Sequence, residues 1–115
     1  MSEESIRALI DRFNQAWNER DLDGALAMTS ADALFESTGP APDGVEHRGR
    51  AAVREAWAPI FENPASHFDV EEIVVMGDRA VQRFRYSWGE GHVRGIDLFA
   101  FDNGLITEKR SYVKG

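Results

Sequence analysis

No cysteine occurs among the 115 residues, which excludes disulfide frameworks, thiolate nucleophiles and cysteine-ligated zinc and fits a reducing compartment. Positive charge is also scarce. Thirteen Lys and Arg stand against twenty Asp and Glu, a net charge of −7 with a pI near 4.9, and a surface of that sign repels phosphate backbones, so nucleic acid is not an expected partner. Apolar runs are short, and none approaches the ~18 residues of a membrane span. The N-terminal MSEESIRALIDRF carries acids where a signal peptide has a basic n-region. The expectation is a cytoplasmic protein with no membrane partner. What remains is an ordinary globular mixture, 43% hydrophobic and 29% charged, of a length that suits one domain over residues 1–115.

Several catalytic signatures are missing as well. There is no nucleophile elbow, Ser-His-Asp spacing, phosphate loop or dinucleotide fingerprint. His47, His67 and His92 show neither paired spacing nor grouped carboxylates, so no metal site is expected.

Hydrophobic spacing supplies the architecture. Ile6, Leu9, Ile10, Phe13, Ala16 and Trp17 recur at helical intervals after Ser2, a candidate N-cap, and predict an amphipathic helix to about Arg20. Asp21 can cap a shorter helix through about Met28, weakened by Gly24. A short strand over 33–37 is followed by a loop over 37–48 with two Pro and two Gly, long enough to act as a lid, and 39–44 is expected to be mobile over an empty pocket. A third helix carries Val53, Trp57, Ile60 and Phe61, and Pro59 should kink or end it. Four strands follow over 68–76, 80–88, 93–101 and 105–113, joined by Gly77-Asp78, Gly89-Glu90-Gly91 and Asn103-Gly104. Helices first and hairpins after predict an α+β domain with helices on one face of a curved antiparallel sheet.

The segments ADALFES, HRGRAAVREAW and GIDLFAFDNGLITEKRSYV, in this order of elements, resemble the SnoaL-like and ketosteroid-isomerase-like proteins of the nuclear transport factor two-like superfamily. The resemblance spans nearly the whole chain, and its most specific part is the C-terminal hairpin. It implies a cone-shaped α+β barrel around an apolar pocket, a hydrophobic small-molecule ligand, no cofactor, and a homodimer formed through the outer face of the sheet. In steroid isomerases of that family an Asp on the first strand is the base, while a helix Tyr and a neutral Asp bind the oxyanion. Matching the motifs puts Ser37 at the base, Phe13 at the Tyr and Asp97 at the neutral acid. One group of the three is retained, so classical steroid isomerisation is not expected. Cyclases of the SnoaL type likewise use a pocket Asp, which makes acid/base chemistry on a hydrophobic carbonyl compound the expected activity. A non-catalytic binding or dimerisation module is the alternative.

Strand alternation selects the pocket face. Ala80, Gln82, Phe84, Tyr86 and Trp88 form the inward set of one strand, and Asp97 travels with Phe99 and Phe101 on the next. Among these aromatics the charged form of Asp97 is disfavoured unless a base pairs with it. A plain Asn103-Gly104 turn would set Asp97 opposite Arg110, and a glycine bulge would set it opposite Lys109. An open cavity of at least ~300 Å³ with Asp97 unpaired would favour chemistry, and a collapsed pocket or a paired Asp97 would favour binding alone. Trp17, Phe35, Ser37, His47, Trp57, Phe61, Lys109 and Ser111 complete the candidate binding residues, with core packing expected for at least half of Phe13, Trp17, Trp57 and Phe61. On the outward face Arg83 and Arg85 should meet acids, Glu71 and Glu72 should be plainly solvated, and Ile96, Leu98, Ala100, Ile106 and Tyr112 should form an apolar patch fit for a subunit contact.

Overall fold

A computed structural model describes all 115 residues. Helix α1 runs Glu3–Asn18, capped by the Ser2 hydroxyl, which accepts from the Ser5 N–H at 3.1 Å. Helix α2 spans Leu22–Ala27, and the Asp21 carboxylate caps it by accepting from Gly24 N–H at 2.9 Å. The cost of glycine at position 24 is offset locally: a Cβ there would lie 2.2 Å from the Asp21 carboxylate. Strand β1 covers Thr29–Glu36, longer at its start than the sequence pattern indicates, and leaves Ser37 just beyond its end. The expected loop also contains a strand, β2 (Glu46–Arg48), which turns back antiparallel on β1 with Phe35 opposite His47. Helix α3, Arg50–Glu62, passes through Pro59 without ending there, because Trp57 and Phe61 are buried on either side of it.

Strands β3 (His67–Met76), β4 (Arg79–Ser87), β5 (His92–Asp102) and β6 (Leu105–Val113) form the predicted meander. The six strands lie in the order β2-β1-β6-β5-β4-β3, with β1 and β6 parallel and every other pair antiparallel. The architecture is α+β. The sheet is strongly curved but not closed, so it has two edges, β2 and β3, where a barrel has none. The three helices and the concave face share one core built on Ile6, Ile10, Phe13, Trp57, Phe99 and Ile106. No helix is long and apolar enough to cross a membrane.

Bulges in β3 and β6 set which residues of those two strands face inward. In β3, Val70 pairs with Phe84 and Glu72 with Arg83, so Glu71 is the extra residue, and Phe68 and Val70 before it share the concave face with Ile73 and Val75 after it. Glu71 is therefore more than a plainly solvated acid: it pairs with Arg83 at 3.3 Å and Arg94 at 2.5 Å on the convex face. The hydrogen bond from Arg94 holds its carboxyl below the ordinary glutamate value, against an opposing effect of desolvation. In β6, Phe101 pairs with Ile106 and Ala100 with Glu108, which leaves Thr107 extra. The register of this hairpin corrects two expectations. Ile106 belongs to the core rather than to the convex patch, and Asp97 lies opposite Ser111, not opposite Lys109 or Arg110.

Candidate active site

Between the open end of the curved sheet, the β1–β2 connection and α3 lies a cavity of about 370 Å³. Its wall is largely apolar, and its polar residues come chiefly from β5 and β6. Without the Thr107 bulge, alternation from Ile106 would send Glu108 and Arg110 inward; with it, Lys109 and Ser111 point in beside Asp97. Arg110 faces the other way and joins Glu36, Glu46 and Glu108 at 3.0, 3.3 and 3.2 Å. Burial opposes its charge, but the hydrogen bonds to Glu108 and Glu46 raise its pKa above the usual arginine value.

Asp97 is 1% exposed and Lys109 6%, yet both reach the cavity. The Lys109 ammonium lies 3.3 Å from Asp97 Oδ1 and donates to Ser111 Oγ at 3.0 Å, and Ser111 Oγ donates to the same Oδ1 at 2.7 Å. Gln82 Nε2 donates to Oδ2 at 2.8 Å. Gln82 is oriented in turn by Asn14, whose Nδ2 donates to Gln82 Oε1 at 2.8 Å and whose Oδ1 accepts from Gln82 Nε2 at 3.2 Å. Ser111 and Gln82 donate to Asp97 and the Lys109 ammonium faces it, an arrangement suited to a carboxylate. The ammonium also sits 5.0 Å from the ring centroids of both Trp17 and Phe35, where the aromatic faces take the place of water.

Of the residues singled out from the sequence, Trp17, Phe35, Ser37, His47, Phe84, Tyr86, Asp97, Lys109 and Ser111 line the cavity. Phe13, Trp57, Phe61 and Phe99 do not, being packed against one another in the core at ring separations of 5.7 to 6.3 Å. Gln82 stands behind Asp97, and Trp88 lies beyond the end of β4 and outside the cavity lining, 36% exposed and tilted against Tyr86. His47 stacks on Phe35 with ring centroids 5.7 Å apart. Ser37 closes the β1–β2 turn: its Oγ donates to Gly39 O at 2.8 Å and accepts from Val45 N–H at 3.1 Å. Sequence reasoning missed Ala56, Ile60, Phe68, Val93 and Val113 on the wall and Asn14 behind it. Phe68 and Val93 had a signal in strand alternation. Asn14 had none, because its partner is 68 positions away.

A SnoaL-like domain model matches residues 10–109. The chain belongs to the SnoaL-like family. An NTF2-like protein of unknown function from Mesorhizobium loti is 38% identical over 97% of this chain and 93% of its own, with a TM-score of 0.88. A protein of unknown function with a cystatin-like fold from Methylobium petroleophilum PM1 is 21% identical over 100% of this chain and 79% of its own, with a TM-score of 0.86. A computationally designed 17-OHP binder is 22% identical, covers 96% of this chain and 91% of its own, and has a TM-score of 0.83. In this SnoaL-like chain Phe13 has no hydroxyl to offer and the Ser37 hydroxyl is engaged in its own turn. The ionisable side chains that line the cavity are His47, Tyr86, Asp97 and Lys109, of which Asp97 and Lys109 are buried.

Proposed function

We propose that the chain binds a hydrophobic carbonyl compound in this cavity and, without a cofactor, moves a proton beside the carbonyl in an isomerase- or cyclase-type reaction, with Asp97 as proton carrier. The observation that carries this reading is an open, largely apolar cavity of about 370 Å³ with the buried Asp97 carboxyl at its floor. The hydrocarbon part of the ligand gains from leaving water against Phe35, Phe68 and Phe84. A carbonyl oxygen directed at the floor meets the Lys109 ammonium, whose charge stabilises the oxygen as it becomes an enolate in a site with little water to screen it. Asp97 takes the proton from the adjacent carbon and returns it, while Ser111 and Gln82 hold the carboxylate in place. A protein of the same fold has been designed to bind 17-OHP, which supports the architecture as a small-molecule container.

The test is deuterium incorporation next to the carbonyl across a panel of aromatic and steroid-like ketones. Wild-type protein should catalyse exchange for at least one member, and Asp97→Asn should slow it by about 100-fold or more while ligand still binds. Exchange at the wild-type rate in Asp97→Asn would remove the acid/base role. The 3.3 Å pairing of Asp97 with Lys109 favours a second reading, a non-catalytic binding module in which the pair only orients ligand. That reading expects saturable binding with no exchange for any ketone that binds.

A further inference from the structure

We propose that Lys109 is a covalent nucleophile of this cavity, forming an imine with aldehyde or ketone ligands. The inference rests on the reading of the cavity as a site for hydrophobic carbonyl compounds and, for the ligands that react, puts an iminium in place of the enolate stabilised by the Lys109 ammonium.

Basic residue usage is the first support. Of thirteen basic side chains eleven are Arg, and the two Lys are Lys109 and Lys114. The surface ion pairs to Glu3, Asp23, Glu71 and Glu72 all use Arg, as does the cluster around Arg110. Arginine is the better residue for a static buried ion pair, since its planar fork can take both carboxylate oxygens and it never gives up its proton. The buried pair that faces the cavity nevertheless uses lysine, which meets one oxygen of Asp97 at 3.3 Å. A lysine there does one thing an arginine cannot: it can lose a proton to become an amine nucleophile.

Geometry supplies the second support, because a proton acceptor and a relay are already in contact with the amine. An ammonium proton can pass to Asp97 through Ser111, which accepts from Lys109 at 3.0 Å and donates to Asp97 at 2.7 Å. The transfer cancels two charges that are 6% and 1% exposed.

The step balances without any other reactant. The freed Nζ lone pair attacks the carbonyl carbon, the C=O π pair moves to oxygen, and a proton passes from nitrogen to that oxygen through Ser111 to give the carbinolamine. The nitrogen lone pair then expels the hydroxyl group, which takes the proton held on Asp97 and departs as water. Of the three ammonium protons, one stays on the iminium nitrogen and two leave in the water. Asp97 ends as a carboxylate beside the iminium, placed to remove a proton from the neighbouring carbon.

Reductive trapping gives a direct test. The full chain is treated with naphthaldehyde and cyanoborohydride, labelled peptides are mapped by mass spectrometry, and binding of naphthylmethanol, which cannot form an imine, is measured in parallel by calorimetry. Lys109 should be alkylated at least about 10-fold faster than exposed Lys114, naphthylmethanol should protect it, and Lys109→Met should abolish that label while Lys114 still reacts. Because the site is mapped in the wild-type chain, the result stands even if Lys109→Met fails to fold. Saturable naphthylmethanol binding with Lys109 labelled no faster than Lys114 would overturn the imine and leave the cavity reading intact. Absence of binding and of preferential labelling would overturn both.

Discussion

Asp97 holds its place because four side chains agree on its charge. Ser111 and Gln82 donate hydrogen bonds to it, the Lys109 ammonium lies 3.3 Å from it, and Asn14 fixes which end of Gln82 faces it. A buried network of this kind is costly when half removed, since the surviving partner is left charged without water. Asp97→Asn should therefore cost about 3 kcal/mol or more in urea unfolding, and Asp97→Asn combined with Lys109→Met should recover most of that loss. A loss below about 1 kcal/mol in the single variant would mean that the pair is not held in the folded state as described.

Helix α3 and the β1–β2 connection decide how the cavity opens. Gly44 is the critical residue of that connection. It has φ +70, and a Cβ there would lie 1.9 Å from the Ser37 carbonyl oxygen, while its N–H donates to Pro40 O at 2.8 Å. Alanine combines the left-handed penalty with a backbone clash and should destabilise the chain by more than about 1 kcal/mol. Because Ser37, Gly39, Val45 and His47 of the same segment line the cavity, Gly44→Ala should also weaken ligand binding and speed amide exchange at Ser37 and Val45. Unchanged exchange at both amides would separate the turn from the site. The segment is tied from outside too, by Arg110 reaching Glu46 of β2 and Glu36 of β1.

The whole molecule has a concave face filled by helices and a convex face left bare. Ile96 and Tyr112 pair across β5 and β6 on that convex face and are 37% and 51% exposed, with Leu98 beside them. We propose that this face meets a second copy of the chain about a two-fold axis, which would cover an apolar patch that a monomer leaves wet. The expected sedimentation result at micromolar concentration is a species of twice 12.9 kDa, reduced to the single chain by Ile96→Asp. A wild-type species of 12.9 kDa would overturn the proposal.

Local patterns settled much of this architecture in advance. Apolar residues repeat at helical spacing through α1 and α3 and alternate through β4 and β5, so the inward sets Ala80, Gln82, Phe84 and Gly95, Asp97, Phe99 were legible before any coordinates. The family resemblance placed Asp97 in the pocket for the same reason, since its motif lies on an unbroken strand. Where a bulge interrupts a strand, this reasoning fails. The extra residue at Thr107 is set by how β6 must bend against β5 and β1, and nothing in LITEKRSYV announces it. That bend carried Lys109 and Ser111 to the cavity floor. Partnership across distance was equally hidden, because Asn14 on the first helix and Gln82 on the fourth strand meet only after the sheet has curled around α1.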